Sequence, residues 1–245
     1  MREIVSDPVR VYLAPAEYID SDHPAIQAEA LRLAPPGASP AERARALFYA
    51  VREIRYGYVD HTDLETCRAS SVLAAKYGYC VGKASLMSAL CRAAGIPARI
   101  GFADVTNHLA TPRMLETMGT NVFAWHGYSE ILIGDRWLRV SPTFNASLCD
   151  KFGVRPLEFD GMSDALLQAY DRLRPLSAAE REALPLLCRG AALRFLLTRL
   201  VDWLDVPPGA LVRPKDPLEY FRKLRFHQAV ASVRDYGIDG VRETA

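Results

Sequence analysis

Nothing in this 245-residue sequence sets cysteines or histidines at the spacing a zinc site needs: there is no CxxC, and no paired Cys/His doublets occur. The sequence therefore predicts no metal and no cofactor. An excess of positive charge is missing as well. Thirty Lys and Arg face 29 Asp and Glu, a balance without the basic footprint of a nucleic-acid binder. Long apolar runs are scarce. The most apolar stretch, 191–204, is broken by Arg194, Arg199 and Asp202, so it is too short and too charged to span a bilayer. The opening MREIVSDPVRVYLAP lacks the apolar core of a signal peptide. These absences predict a soluble, cytoplasmic protein with neither nucleic acid nor membrane as a partner. The five cysteines are odd in number and widely spaced, as expected of thiols in a reducing compartment.

What is present is ordinary globular composition, 50% hydrophobic and 24% charged, in a chain long enough to bury a core without staples. Residues 9–13 read as a short strand and 25–33 as a short helix. Ser39-Pro40-Ala41-Glu42 is a helix start with a capping box and proline at the first helical position. Ala44, Leu47, Phe48, Val51 and Ile54 then recur at helical spacing. Ser70 or Ser71 caps a short helix closed by Gly78, and a third helix runs from about Cys80 to Ala94 with Met87, Leu90, Cys91 and Ala94 as its buried stripe. Residues 104–121, with Asn107 and His108, form a long connection of the kind found near active sites. Phe123–Ile133 and Arg136–Phe144 are strands joined by a Gly134-Asp135 turn. From about 165 the character turns helical: 177–189, with Pro185 as a kink, then 191–204 and, after Pro207-Pro208-Gly209, 217–233.

One cysteine stands in a chemically special place. Cys80 follows Gly78-Tyr79 and opens a helix, where unpaired N–H groups and the positive dipole end favour thiolate over thiol. Cys91, on the apolar stripe of the same helix, reads as core. His126 lies on the first hairpin strand. A two-residue turn sets Ile133 opposite Arg136, Glu130 opposite Arg139 and His126 opposite Thr143, which places His126, Tyr128, Glu130 and Leu132 on one face. Arg99 reads as a structural partner, and Trp125 and Trp137 as sheet and cleft-wall residues. His108 reads as a solvated loop histidine.

The run Tyr77-Gly78-Tyr79-Cys80-Val81-Gly82-Lys83-Ala84-Ser85-Leu86, continued by Ala89-Leu90-Cys91-Arg92-Ala93-Ala94-Gly95-Ile96-Pro97-Ala98-Arg99, resembles the nucleophile helix of the transglutaminase-like superfamily. Trp125-His126-Gly127-Tyr128-Ser129-Glu130, then Trp137 and Ser141-Pro142-Thr143-Phe144-Asn145, resembles its histidine-bearing strand and the next one. The intervening Thr106–Arg113 run is similar to a bacterial branch of the group. The resemblance covers roughly residues 10–165 and rests on two blocks in matching order and spacing. It implies an α+β, papain-like fold with a nucleophile helix packed on an antiparallel sheet, here as a catalytic domain over 1–165 with a helical extension over 166–245. It also implies acyl transfer on peptide or isopeptide amides through a thioester, with Cys80 as nucleophile and His126 as base.

The sequence departs from the family where an aspartate usually orients the histidine: Ser141 stands there. Serine can accept a hydrogen bond from imidazole but cannot offset imidazolium charge. Asn145, diagonal to His126 in the expected register, is the other orienting candidate, and Asp160 ranks below both. Tyr77 or Tyr79 is a candidate to help hold the oxyanion. Hydrolysis, transamidation and deamidation are all open, and the partner expected is a peptide or protein substrate. A non-catalytic binding module that retains the fold is the alternative. Oligomeric state and the role of 166–245 are not set by the sequence.

Overall fold

The computed structural model describes residues 9–60, 62–106, 110–112, 115–116, 119–166, 169, 174–205, 216–236 and 238. Asn107, His108 and the Pro207–Gly209 break lie outside them. The chain divides into two compact units, Met1–Ala169 and Tyr170–Ala245.

The first unit opens with a short 3-10 turn over Arg10–Tyr12 rather than the expected strand. Helices α1 (Pro24–Leu33) and α2 (Pro40–Glu53) follow. The α2 start is built as its sequence reads. Ser39 Oγ accepts from the Glu42 N–H at 3.3 Å, and Glu42 returns a carboxylate oxygen to the Ser39 N–H at 2.8 Å. Ala44, Leu47, Phe48 and Val51 are buried, as their spacing demands.

The next helix, α3 (Ala69–Ala75), departs from the reading in both caps. Arg68 is the N-terminal flanking residue, and the Ser70 N–H is satisfied by Asp20, fifty residues away. Its C-terminus is closed by Lys76 in the left-handed region, φ 50°, and not by Gly78. Gly78 instead lies in a two-residue strand, β2 (Tyr77–Gly78), paired in parallel with β1 (Arg55–Tyr56). At the N-terminus a group distant in sequence satisfies the backbone, whereas at the C-terminus the Lys76 N–H returns to the Val72 carbonyl within the helix itself.

Helix α4 (Cys80–Ala93) is the centre of the unit. Every residue from Gly82 to Cys91 is buried, including Lys83, Ser85 and Ser88, so the helix is enclosed all round and not along one stripe. It packs against α1, α2 and α3 and against the strands β3 (Ala98–Thr106) and β4 (Val122–Ile133). Buried hydroxyls are satisfied across this contact. Ser88 Oγ donates to Ser129 Oγ at 3.3 Å, and Ser129 Oγ donates to the Ala84 carbonyl at 2.9 Å.

Strands β3, β4 and β5 (Arg136–Val140) form an antiparallel sheet in that order. The hairpin has the expected two-residue turn, with Gly134 at φ 62°, and pairs Ile133 with Arg136 and Glu130 with Arg139. The ladder ends at Ser129–Val140, so the strand does not reach Phe144 and His126 is not paired with Thr143. His126 pairs with Ala103 on the other side. A bulge lies beside it, where the register shifts between Ala103 and Val105 and Trp125 adopts φ 61° with its N–H on Asp104. Arg99 is an internal strut: it pairs with Glu130 at 2.5 Å and lies against the rings of Trp137 and Tyr12, which also touch each other. Arg139 is held by Asp164 at 2.7 Å. A short helix, α5 (Ala146–Lys151), follows the sheet.

The second unit is built on two helices, α6 (Ala178–Leu204) and α7 (Leu218–Ala229). The first is one helix through Pro185, not two, and it starts at a Ser177–Glu180 capping box. Arg199 joins the two by pairing with Glu219 at 2.7 Å and lying over the Tyr220 ring.

Candidate active site

Cys80 is the first residue of α4, after the extended Tyr79. Its half-buried sulfur receives backbone hydrogen bonds from its own N–H, from Val81 and, across the sheet contact, from Gly127. These donors pull the thiol toward thiolate, as a helix start should. Burial outweighs them, and the net effect raises Cys80 above its ordinary value of 9.0. The helix start acts in the direction the sequence predicts, but desolvation costs more than it returns. Cys91, fully buried with no such donors, is pushed up to about 12.

Gly127 explains how strand and helix come so close. A Cβ there would stand 2.8 Å from Val81 Cα and 3.1 Å from Val81 N, so only glycine permits this approach. The contact leaves Cys80 and His126 each one residue from a shared backbone seam. The two side chains are not hydrogen-bonded to each other. Instead, His126 Nε2 lies 3.1 Å from Ser141 Oγ, and Ser141 Oγ lies 2.8 Å from Thr143 Oγ1. Ser141 and Thr143 are buried. In the tautomer that carries its proton on Nε2, the ring donates to Ser141 and Nδ1 is the acceptor nitrogen. Burial lowers His126 below its usual 6.5, and no carboxylate opposes it.

The structure thus brings Ser141 to His126 and takes Asn145 elsewhere. Asn145 Oδ1 accepts from the Tyr56 N–H at 3.0 Å, and Nδ2 donates to Ser147 Oγ at 2.7 Å, where α5 begins. Asp160 is spent on a turn, accepting from the N–H groups of Met162 and Ser163. Of the oxyanion candidates, Tyr79 OH contacts Cys67 Sγ at 3.2 Å, and Tyr77 OH donates to the Tyr58 carbonyl.

Two residues escaped the sequence reading. Tyr56 packs edge-on against Phe144, and burial together with the neighbouring Cys80 raises its phenol to about 12. Lys83, on the nucleophile's own helix, is completely buried and donates to three backbone carbonyls, those of Ile54 (2.6 Å), Thr143 (2.7 Å) and Arg52 (3.0 Å). Burial draws it from 10.5 down to about 7. No spacing rule flags either residue. A lysine among apolar helix positions is the one signal that was available for Lys83. Among the described residues, no group of three or more His, Cys, Asp and Glu is arranged to hold a metal. None of the described helices is long and apolar enough to cross a membrane.

Comparison with known proteins is consistent with this geometry. Residues 29–142 match the family model described as the transglutaminase-like superfamily core, a span that includes Cys80, His126 and Ser141 and stops short of Asn145. Among solved structures, a candidate cysteine protease from Cytophaga hutchinsonii is similar at 23% identity, covering 58% of this chain and 43% of that one, with a TM-score of 0.44. The periplasmic domain of TgpA from Pseudomonas aeruginosa is similar at 23% identity over 57% and 48% of the two chains, with a TM-score of 0.39. A different likeness holds over a shorter stretch. Homoserine kinase from Bradyrhizobium sp. strain BTAi1 is 76% identical over 81 residues, and that from Bradyrhizobium diazoefficiens is 80% identical over 74. The chain spans about a quarter of the length of these curated relatives, with 33% and 30% of its own residues matched. The family match, laid over a helix that begins at Cys80 and packs on an antiparallel sheet, makes residues 29–142 of this chain a transglutaminase-like superfamily domain.

Proposed function

We propose that the chain is a cysteine-nucleophile acyl-transfer enzyme acting on peptide or isopeptide amides. The supporting observation is the seam at Gly127 and Val81, which brings the strand of His126 against the start of the Cys80 helix, with His126 Nε2 in contact with Ser141. Both groups rest neutral, because burial raises the thiol and lowers the imidazole. The reaction therefore begins with general-base catalysis rather than from a preformed ion pair. His126 Nδ1 takes the thiol proton as the sulfur bonds to the carbonyl carbon. The oxygen gains the displaced electron pair, within reach of the backbone N–H groups at the start of α4. Collapse breaks the carbon–nitrogen bond, and the imidazolium gives its proton to the departing amine. Water or a second amine then attacks the thioester, and the thiol regains its proton. Apo hydrogen bonds of this kind are often long and tighten with substrate, so the missing Cys80–His126 bond fits this sequence.

The catalytic domain in this reading is 1–165, and residues 166–245 are an appendage outside the chemistry. The stretch shared with homoserine kinases is assigned to that appendage on length. Residues 1–28 are too few to hold it, 29–142 match a family of a different name, and the unit Tyr170–Ala245 is about its size. Five free thiols suit a reducing compartment, so cytoplasmic residence belongs to the same proposal.

The test is labelling by a thiol-directed acyl probe. Cys80→Ala abolishes it and Cys91→Ala retains it. Undiminished labelling of the first variant would remove Cys80 as nucleophile. The second reading, a binding module without efficient chemistry, is favoured by a serine where a carboxylate would stabilise imidazolium. It predicts that His126→Ala leaves the labelling rate unchanged, whereas the enzyme reading predicts a fall of about a hundredfold or more.

A further inference from the structure

A buried ammonium with no carboxylate hydrogen-bonded to it is an expensive feature. Each buried ion costs several kcal/mol after relaxation, and a methionine or leucine would fill the same space more cheaply. Lys83 is nonetheless fully buried, and each of its three N–H donors finds a backbone carbonyl. The carbonyls come from two separate places. Those of Arg52 and Ile54 are at the end of α2, where helix carbonyls lack intrahelical partners and the dipole is negative. That of Thr143 lies beyond β5, on the segment that carries Ser141. Only the protonated amine has three donors, so only that form satisfies all three carbonyls.

We propose that Lys83 is a positioning residue for the catalytic histidine. It ties the nucleophile's helix to the Thr143 carbonyl, and so fixes the Thr143–Ser141 pair that holds His126. The connection is continuous. Lys83 lies three residues after Cys80, close to one helical turn. Its Nζ grips Thr143 O at 2.7 Å, Thr143 Oγ1 meets Ser141 Oγ at 2.8 Å, and Ser141 Oγ meets His126 Nε2 at 3.1 Å. Sulfur and imidazole are thereby referenced to one helix, although they sit on different elements. The charged and titratable groups that act on Lys83 are Glu53, which favours its charge, Arg52, which opposes it, and Cys149. This role rests on the catalytic reading of His126, but the link to the imidazole is measurable without any turnover.

The experiment follows His126 ring nitrogens by NMR across pH, together with the rate of Cys80 alkylation by iodoacetamide. In Lys83→Met, the His126 ring-nitrogen signals, set in wild type by the contact with Ser141, relax toward those of a free imidazole. The titration of His126 moves up toward the ordinary 6.5, and Cys80 alkylation at neutral pH slows about tenfold. Lys83→Arg, which keeps charge and donors, recovers part of each change. A purely structural lysine would lower thermal stability and leave ring signals and titration in place; that outcome overturns the proposal. Should Lys83→Met fail to fold, Thr143→Val decides the matter. It cuts the same chain at the hydroxyl while keeping the carbonyl that Lys83 holds, and an unchanged His126 spectrum there refutes the relay. His126→Ala separates the two levels. If it alkylates as fast as wild type, the enzyme reading falls, while the Lys83 effect on the imidazole is still read directly.

Discussion

Ser141→Asp would restore a charge at the point where this chain departs from its family, and its size can be worked out from the geometry. Ser141 Oγ is 3.1 Å from His126 Nε2 and the serine is buried. A carboxylate and an imidazolium about 4 Å apart attract by roughly 4 kcal/mol at an effective dielectric of 20. Placing the carboxylate in a half-dry site gives back about half of this, although Thr143 Oγ1, 2.8 Å from the serine oxygen, is poised to donate to it. About 2 kcal/mol then remains in favour of the thiolate–imidazolium pair over the neutral pair, a factor of roughly 30. The assay is the iodoacetamide alkylation rate of Cys80 at pH 6, read on its own peptide by mass spectrometry. Wild type should be slow there, because burial holds its thiol protonated. The Ser141→Asp protein should be ten- to thirtyfold faster, with His126 titrating higher than in wild type. Asn145→Ala is the control and should leave both quantities unchanged, since its amide is spent on Tyr56 and Ser147. A folded Ser141→Asp protein with a wild-type rate at pH 6 would refute the claim that position 141 sets the charge state of the pair.

Three further outcomes follow from burial and from length. Cys91 stays protonated in the folded protein up to about pH 12, whereas an unfolded chain releases that proton near 9. Its contribution to stability is therefore whole below pH 9 and is lost as pH rises through the folded value. The unfolding free-energy advantage of wild type over Cys91→Ala, read from urea titrations, should shrink by roughly 2 kcal/mol between pH 9 and 10.5; a constant gap would show that the thiol does not titrate there. For His126, with its pKa lowered by burial, the sign is opposite. Stability is whole above 6.5 and falls as pH drops toward the folded value, a loss that His126→Gln should remove. The purified chain should also show no homoserine-dependent consumption of ATP, since it spans only about a quarter of the kinases it resembles. Phosphorylated homoserine in that assay would overturn the assignment of the tail as an appendage.

The α2 start, the two-residue hairpin turn and the pairing of Ile133 with Arg136 were all legible in the sequence, because each depends on residues within a few positions of one another. Cys80 at the head of a helix and His126 on a strand were legible for the same reason. The caps of α3 were not, because Asp20 and a left-handed Lys76 do the work expected of Ser70, Ser71 and Gly78. Nor was the choice between Ser141 and Asn145 as the neighbour of His126. Local register made both plausible, but the ladder stops at Val140, and the chain beyond it turns Asn145 toward Tyr56. The resting charge of the thiol was not legible either. A helix terminus is a local feature visible in sequence, whereas desolvation is the sum of everything packed around the sulfur. Lys83 marks the limit most clearly. Its identity is one letter in an apolar helix, and its three acceptors, contributed by α2 and by the segment after β5, come together only when the chain has folded.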